Sequence, residues 1–317
     1  MNTWYFSHLV LIQSTFIAVL AGLSVQVPIR VGVFSFAGIG SYTIGAYFTA
    51  IAITKYELPS VVGLVGGAVA AGIIGLGLAY LLNRLSGLYL GMATIAFVLI
   101  LGVIAVNAGD LTGGSNGLYG AISGFKTSYL IVFTVVVVAL LALSERGRLG
   151  RRIDVVREDP ELAASMGVSV ARVRRAAFVV SGVLGACAGG MNALARTTVT
   201  PDDVGFSLVV LTLTIIIVGG SRSWAGVVIG ALIFTWLPTW LEPIDSWKTV
   251  IYGVLVTLAA VWVPDGILGL AQRGWHAVRA RLGHRGPPRD LPAATATKPE
   301  PLPMATTASV PSEGRTS

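Results

Sequence analysis

Long, nearly uncharged apolar runs are the feature of this sequence that most limits how it can fold. They lie near residues 8–28, 32–54, 61–82, 87–107, 128–143, 176–195, 206–220, 224–241 and 248–264. Most have the roughly 20 residues that a helix needs to cross about 30 Å of hydrocarbon. With 54% hydrophobic and 12% charged residues, the chain has more apolar surface than a soluble domain of its length can bury. We therefore predict an all-α, polytopic membrane helix bundle of about nine spans, or eight to ten because glycines in the second run permit a break.

The longest basic loop, residues 144–175, predicts how these spans are oriented. It carries eight arginines, and the positive-inside rule places such a loop in the cytoplasm. Counting spans from this loop puts the N-terminus outside and the C-terminus in the cytoplasm. Arg30, Arg84 and Arg222 then fall inside, and the outer loops receive the acidic residues Glu57, Asp110, Asp202, Asp203, Glu242 and Asp245. The net charge of +7 is thus explained by membrane topology, and we expect no nucleic-acid partner.

The chain divides into a predicted membrane domain, residues 1–270, and a predicted cytoplasmic tail, residues 271–317. Seven of the 14 prolines lie between Pro287 and Pro311, among Ala, Thr and Ser. Such a segment cannot bury enough apolar surface to order itself, so we expect disorder from about residue 286. Residues 144–175 are predicted to form a structured cytoplasmic projection of the membrane domain.

Two apolar runs carry small residues at every fourth position. They are Gly63, Gly67, Ala71, Gly75 and Ala79 in one run, and Ser181, Gly185, Gly189 and Ala193 in another. Residues four apart share one side of a helix, so each set predicts a flat face on which a second helix can pack closely. Plain packing within the bundle is the favoured interpretation of both sets.

No set of residues in the sequence predicts catalysis. The sequence has no H-E-x-x-H or G-x-S-x-G pattern, and no lysine follows a glycine as a P-loop requires. Acidic residues are absent from the apolar runs, which disfavours a proton- or sodium-coupled carrier. We therefore expect a chain that is not an enzyme, holds no metal or cofactor, and depends on separate subunits if ATP drives its work.

The segment DPELAASMG, residues 159–167, predicts a short helix inside the basic loop. Asp159 can accept hydrogen bonds from the first amide groups, and Pro160 suits the first helical position. Gly167 suits a left-handed residue after the last turn, and Ser169 can cap the helix that follows. On composition alone, a solvated connecting helix whose charges only set the topology is the simpler interpretation.

The same segment resembles the acidic-Ala-Ala loop of ABC importer permeases, although Leu162 separates Glu161 from the two alanines. More specifically, the chain resembles branched-chain amino acid permeases of the LivM type. The resemblance runs in order through residues 32–47, 87–97, 112–118, 156–168, 177–190, 201–206, 218–230 and 251–269. It implies a permease subunit that forms half of a translocation pathway in the bacterial inner membrane.

Several partners follow from this resemblance. It implies a second related permease chain, an extracytoplasmic substrate-binding protein, and two ABC ATPase subunits that bind ATP and Mg²⁺. The short helix would be the coupling helix, in which Leu162, Ala163, Ala164 and Met166 pack into a cleft on the ATPase. Polar contacts at the rim would come from Arg157, Glu158 and Asp159, and the helix would be shaped by Glu161 and Gly167.

A pathway for a zwitterionic amino acid needs polar groups without a strong trap. The candidates within the apolar runs are Gln13, Gln26, Ser41, Tyr42, Thr43, Thr94, Asn107, Asn192 and Thr214. Each could instead bond its own backbone or a neighbouring helix. A candidate outer loop facing the binding protein or the pore mouth contains Thr112, Gly113, Gly114, Asn116 and Gly117, whose glycines could simply form tight turns.

Alternative functions differ in cargo or in class. The same ABC architecture could carry urea, amides or other small acids. A stand-alone secondary carrier is disfavoured by the lack of an ionisable group at mid-membrane, and a channel remains open on composition.

Overall fold

The structure of this chain, a computed structural model, describes residues 8–121, 124–221 and 223–240, together with residues 253 and 257. The long helices are α1 (Leu9–Arg30), α2 (Ala37–Thr54), α3 (Ser60–Leu81), α4 (Gly87–Asn107), α6 (Thr127–Glu145), α9 (Val170–Arg196), α10 (Phe206–Gly219) and α11 (Trp224–Trp240). The short helices are α5 (Gly109–Thr112), α7 (Gly147–Glu158) and α8 (Pro160–Ser165). Two 3₁₀ turns, Gly114–Asn116 and Pro201–Val204, and two strands, β1 (Leu118–Tyr119) and β2 (Thr198–Val199), complete the described elements.

Eight of the nine predicted runs correspond to these long helices. Within the described residues, six helical segments are long and apolar enough to cross a membrane: α1, α3, α4, α6, α9 and the segment Pro201–Gly219 that contains α10. The prediction of a polytopic helical membrane protein is confirmed. The ninth run near residues 248–264, Arg222, and the tail at residues 271–317 lie outside the described residues, apart from residues 253 and 257.

Helix α2 is buried along most of its length and packs against α1, α3, α4 and α9. The glycine-rich run that contains it is irregular only at its start, where Gly32 has a φ of +78° and residues 33–36 belong to no helix or strand. The amide of Phe36 donates to the Thr94 hydroxyl at 3.0 Å, and the amide of Ala37 donates to the Ser35 hydroxyl at 3.2 Å. The irregular segment therefore precedes the helix, and α2 itself is continuous.

Both predicted small-residue faces are buried. In α3 the buried residues are the five that were predicted, and in α9 all four predicted residues are buried. A side chain added at Gly185 would overlap the backbone carbonyl of Gly38, and one at Gly189 would overlap that of Tyr42. The α2 and α9 backbones thus touch without intervening side chains, which is how membrane helices gain close packing.

The segments that connect the helices contact one another at the two ends of the bundle. At one end the Arg30 guanidinium lies 3.3 Å from the Glu145 carboxylate, which also accepts a hydrogen bond from the Trp224 amide at 3.2 Å. This end includes α7 and α8. At the other end the Lys55 ammonium donates to the Asp110 carbonyl, and β1 pairs antiparallel with β2. The strand end is where the chain leaves α9.

Candidate functional site

A cavity of about 410 Å³ lies between α1, α9, α10 and α11, beside Tyr42 of α2. Its apolar wall includes Leu11, Ile17, Leu208, Leu211 and Phe234. Its polar residues are Ser14, Tyr42, Asn192, Arg196, Asp202, Asp203, Ser207 and Thr235. Because Arg196 ends α9 next to β2, the polar side of the cavity belongs to the strand end of the bundle.

Opposite charges at this cavity are only loosely paired with one another. One Arg196 nitrogen lies 3.8 Å from the Asp203 carboxylate, and the other donates to the Ser14 hydroxyl at 3.4 Å. The second Asp203 oxygen accepts a hydrogen bond from Thr200 at 2.7 Å. The Asp202 carboxylate has no hydrogen bond or ion pair to any residue that the structure describes. A ligand could therefore engage Arg196 and Asp202 without breaking a strong internal contact.

The backbone after Arg196 is held in an unusual conformation. Thr197 has a φ of +58°, which is uncommon for a β-branched residue. Its carbonyl accepts hydrogen bonds from the amides of Gly120 at 3.1 Å and Ala121 at 3.2 Å. These contacts end α9 at Arg196 and turn the chain toward Asp202, so the two charges face the same cavity.

Two of the predicted path residues, Tyr42 and Asn192, line the cavity. Their side chains are 3% and 4% exposed. Within the described part of the chain neither side chain makes a hydrogen bond, so both polar groups are available to a ligand or to water. They come from α2 and α9, the two helices whose backbones are in direct contact.

The other predicted path residues do not line this cavity, and most have hydrogen-bond partners elsewhere in the bundle. Gln13 donates to Thr127 at 2.9 Å and Gln26 to the Ser221 carbonyl at 3.4 Å. Asn107 and Thr214 donate to the carbonyls four residues earlier, both at 2.8 Å. These bonds join neighbouring segments or satisfy a helix's own backbone. Both roles were the alternatives to lining a pathway that the sequence allowed for these residues.

The three remaining path candidates are buried at helix contacts. Thr43 reaches the Val204 carbonyl at 3.2 Å, and Thr94 donates to its own helix at the Gly91 carbonyl at 2.9 Å. The Ser41 hydroxyl is buried and has no partner within the described residues. None of these three side chains lines the cavity.

The predicted outer loop forms a tight structure at the strand end. Thr112 is buried and donates to the Ala105 carbonyl at 2.6 Å. Gly113, Gly114 and Gly117 have φ angles of +76°, +62° and +79°, which glycine adopts without steric cost. A side chain at Gly117 would overlap the Val199 carbonyl, whereas Asn116 is exposed. The loop is thus a turn that supports the β1–β2 pair.

The basic loop contains the predicted short helix as α8. One Asp159 oxygen accepts hydrogen bonds from the amides of Glu161 at 2.9 Å and Leu162 at 3.0 Å. Pro160 occupies the first helical position, and Gly167 has a φ of +80°. Ser169 precedes α9 but makes no side-chain capping bond. The predicted helix start and the left-handed glycine are therefore both present.

Large apolar side chains project from α8 and the residue that follows it. Leu162 is 53% and Met166 67% exposed, and Glu161, Ala164 and Glu158 are exposed as well. Exposed apolar residues on a charged segment are typical of a surface that meets another protein.

Ala163 is turned inward, against the expectation that it packs on a partner. It is fully buried in a small cluster with Val31, Val156 and Ala177. The backbone of Arg157, which is half-buried, lies against Gly32 at the start of the irregular segment before α2. Ala163 therefore seats α8 on the chain that leads into α2.

Sequence reasoning missed part of the cavity. Arg196, Ser14 and Ser207 were not among the predicted site residues, and Asp202 and Asp203 entered only through the charge count. The sequence did contain a usable signal, because Arg196, Asp202 and Asp203 are the only charged residues between residues 176 and 221. Charges are rare in such apolar sequence unless they serve a function.

Comparison with known proteins identifies the family. The family described as "Branched-chain amino acid transport system / permease component" matches residues 8–260. The high-affinity branched-chain amino acid transport system permease protein LivM of Escherichia coli K12 is 25% identical over 293 residues, covering 81% of this chain and 69% of LivM. A probable LivH permease of Methanocaldococcus jannaschii is 28% identical over 261 residues, covering 74% of this chain and 81% of that protein.

A more distant match has a different named cargo. The galactose/methyl galactoside import permease MglC of Haemophilus influenzae is 26% identical over 148 residues, covering 44% of each chain. No solved structure matches the chain significantly. The family match covers most of the chain and includes α1 to α11. The chain therefore belongs to the family of branched-chain amino acid transport system permease components, and it is a multi-pass membrane permease subunit of an ABC importer.

Proposed function

We propose that this permease carries branched-chain amino acids and that the 410 Å³ cavity is part of their pathway. The observation that carries the proposal is that Arg196 and Asp202 line the same cavity as a set of apolar side chains. Relatives named for branched-chain amino acid transport support the same cargo. Separate ATPase subunits power the transport.

A zwitterionic amino acid matches this arrangement of charges. A guanidinium can bind a carboxylate through two N–H groups, and a carboxylate can accept hydrogen bonds from an ammonium. An aliphatic side chain gains by contacting the apolar wall formed by Leu208, Leu211 and Phe234. Asp203, 3.8 Å from Arg196, competes with the bound carboxylate, so the cargo is held only weakly and can move on.

The proposed orientation has the N-terminus outside, about nine spans, and the C-terminus in the cytoplasm. The end that contains α7 and α8 carries most of the arginines of the described residues, which supports placing it in the cytoplasm. The cavity then opens on the outer side, where an extracytoplasmic binding protein delivers cargo.

The proposed partner of α8 is an ABC ATPase. Leu162 and Met166 supply exposed apolar contacts, and Glu158 and Glu161 supply charges beside them. A second permease chain, related to this one, forms the other half of the pathway. Movement of α8 would reach α2 through the contact between Arg157 and Gly32.

Uptake into proteoliposomes tests the proposal. The vesicles contain this permease, its sister chain and the ATPases, with ATP inside and the binding protein and labelled leucine or urea outside. We expect ATP-dependent uptake of leucine and little uptake of urea. Arg196→Gln and Asp202→Asn each remove one charged contact to the cargo, and each should lower leucine uptake about tenfold.

Matched substitutions separate the cavity from general surface charge. Lys126→Gln and Asp110→Asn remove exposed charges from the same end of the bundle, outside the cavity, and should leave uptake within about twofold. Uptake of urea in place of leucine would refute the cargo. Leucine uptake that persists without the ATPases would indicate a stand-alone carrier, and normal uptake by Arg196→Gln would remove the cavity from the pathway.

A further inference from the structure

A second cleft lies between α3, α4 and α9, at the end of the bundle that contains α7 and α8. Its polar side chains are those of Asn83, Ser86, Arg174 and Arg175, and Gly87 also lines it. The two arginines lie in the first turns of α9, and the other three residues lie in the connection from α3 to α4 and the first residue of α4. This cleft is at the opposite end from the cavity, and the transport proposal does not use it.

Positive charge in this cleft has no counter-charge among the described residues. Arg174 has no ion pair and no hydrogen bond there, and its Nε atom is buried without a partner. Arg175 donates to the Ala171 carbonyl at 3.1 Å and to the Tyr80 hydroxyl at 2.7 Å, and its guanidinium lies 5.1 Å from the centre of the Tyr80 ring. Neither arginine forms an ion pair with a described carboxylate, so no such pair offsets their positive charge. A partly buried, unpaired guanidinium is unfavourable unless an anion neutralises it.

The start of α4 adds hydrogen-bond donors to the same cleft. This helix has 21 residues, and Ser86 precedes it without a side-chain capping bond. The first amide groups of a helix are unsatisfied by the helix itself, and they carry partial positive charge. Gly87, at the first position with a φ of +56°, presents no side chain over them. Amide groups and guanidinium groups together form a suitable site for a phosphate.

Apolar side chains surround this group of donors. Leu81 at the end of α3 and Leu88 and Tyr89 in the first turn of α4 are all largely exposed. Within the cleft, Leu85 and Phe178 lie beside the arginines. A free phosphate ion gains nothing from apolar neighbours, whereas a phospholipid places its acyl chains against them.

We propose that the Arg174–Arg175 cleft binds the phosphate of an anionic phospholipid. The proposed orientation places this lipid in the cytoplasmic leaflet, where anionic headgroups attract basic residues near the membrane surface. Arg174 binds the phosphate directly, and Arg175, oriented by Tyr80, supplies a second donor. The lipid supplies the counter-charge that the described residues lack, and it fills the space between α3, α4 and α9.

Native mass spectrometry of the complete transporter, purified in detergent, tests this site. The complex is titrated with dioleoylphosphatidylglycerol and, separately, with dioleoylphosphatidylcholine. We expect the wild-type complex to retain the anionic lipid preferentially. Arg174→Gln should weaken phosphatidylglycerol binding roughly fivefold, because one basic residue near the surface is removed. Arg174→Lys keeps the charge that attracts the anionic lipid and should bind within about twofold of the wild type.

The matched control is Arg172→Gln, which removes an exposed arginine from the same helix but outside the cleft, and should leave lipid binding unchanged. Arg174 has no partner within the described chain, so its replacement should not unfold the protein, and circular dichroism checks this. Equal lipid binding by the wild type and Arg174→Gln would overturn the proposal. Displacement of the lipid by an equal concentration of inorganic phosphate would assign the cleft to a free anion instead.

A protein contact would give a different result from a lipid site. If Arg174→Gln lowered the amount of ATPase that copurifies and left lipid binding unchanged, an acidic group of the ATPase would be the counter-charge, and the lipid proposal would be wrong. Because lipid binding is measured without transport, the result is independent of the proposed cargo. Failure of leucine uptake would leave a positive lipid result intact.

Discussion

The backbone carbonyl of Ala186 leaves no room for a side chain at Gly45 of α2. Likewise, the Gly38 carbonyl leaves no room for a side chain at Gly185, and the Tyr42 carbonyl leaves none at Gly189. In lipid there is little hydrophobic gain from bringing two helices together, so close van der Waals contact must supply the association. At the residue scale, the packing of α2 against α9 therefore requires glycine at these contacts, because even one added methyl group would overlap the neighbouring backbone.

Gly45→Ala should separate α2 from α9 and lower the stability of the protein. Overpacking of this kind typically costs about 1–3 kcal/mol. Gly77→Ala is the matched control, because Gly77 is exposed on α3 and a methyl group there would meet nothing within 4 Å. That control should gain about 0.5–1 kcal/mol from the better helix propensity of alanine. The thermal unfolding midpoint of the purified complex should thus move in opposite directions, and equal shifts would contradict the packing argument.

At the element scale, α8 has only six residues and cannot be stable through its own hydrogen bonds. It is held by the Asp159 cap at its start, by burial of Ala163, and by the left-handed Gly167 that follows it. These features hold one short helix in a defined position on the end of the bundle. Because Ala163 packs with Val31, Val156 and Ala177, displacement of α8 would also displace the segments that it contacts.

Loss of the Asp159 cap should loosen α8 and weaken coupling. Asp159→Ala removes acceptors for two amide groups, a change that typically costs about 1 kcal/mol of helix stability. We expect lower leucine uptake for each ATP hydrolysed, whereas Asp159→Asn keeps a good capping residue and should retain most of the coupling. Asp154→Ala is the control, since Asp154 is an exposed acidic residue of α7 that caps no helix. A similar loss in the control would point to charge instead of capping.

The exposed apolar residues of this element should determine ATPase docking. Leu162→Ser with Met166→Ser removes two side chains, each of which contributes about 1.5–3 kcal/mol when buried against a partner. We expect much less ATPase subunit to copurify with the permease, and ATP-driven uptake to fall more than about tenfold. Leu149→Ser is the matched control, because Leu149 is similarly exposed on α7. Unchanged copurification of the ATPase with the double variant would refute docking at α8.

At the scale of the whole molecule, the two ends of the bundle differ in chemistry. One end contains the arginine-rich α7 and the Arg174–Arg175 cleft, and the other contains the strand pair and the cavity with Arg196 and Asp202. A transporter must present different surfaces to the two sides of a membrane. The charge difference also predicts which end faces the cytoplasm.

Cysteine labelling in intact cells checks this orientation. Cys187 is the only cysteine and is buried, so Cys187→Ala provides a suitable background. Tyr56→Cys should react with a membrane-impermeant maleimide from outside, whereas Ser165→Cys should react only after the membrane is opened. Ser312→Cys in the predicted tail should behave like Ser165→Cys, because four predicted spans separate the two positions. Labelling of Ser312→Cys alone from outside would contradict the ninth span.

Local features of the sequence determined most of the helices. Eight apolar runs correspond to helices with ends near the predicted ones, because a membrane helix satisfies its hydrogen bonds within one segment whose length is set by the bilayer. The Asp159 cap and the left-handed Gly167 were likewise predictable, since each depends on residues within a few positions of it. The small-residue faces followed from helical periodicity alone.

Tertiary contacts decided which polar residues share a site. Tyr42 and Asn192 meet Arg196, Ser14 and Asp202 in one cavity only because α1, α2 and α9 converge there, and no local pattern relates residues so far apart in the chain. Gln13 and Gln26 looked equivalent to them in sequence, yet each is used by a contact with a distant segment. The inward turn of Ala163 depends in the same way on Val31 and Ala177. The sequence by itself thus determined the helices, the family and the location of α8 along the chain. The cavity and the arginine cleft depend instead on packing between segments that are distant in sequence, which no local pattern encodes.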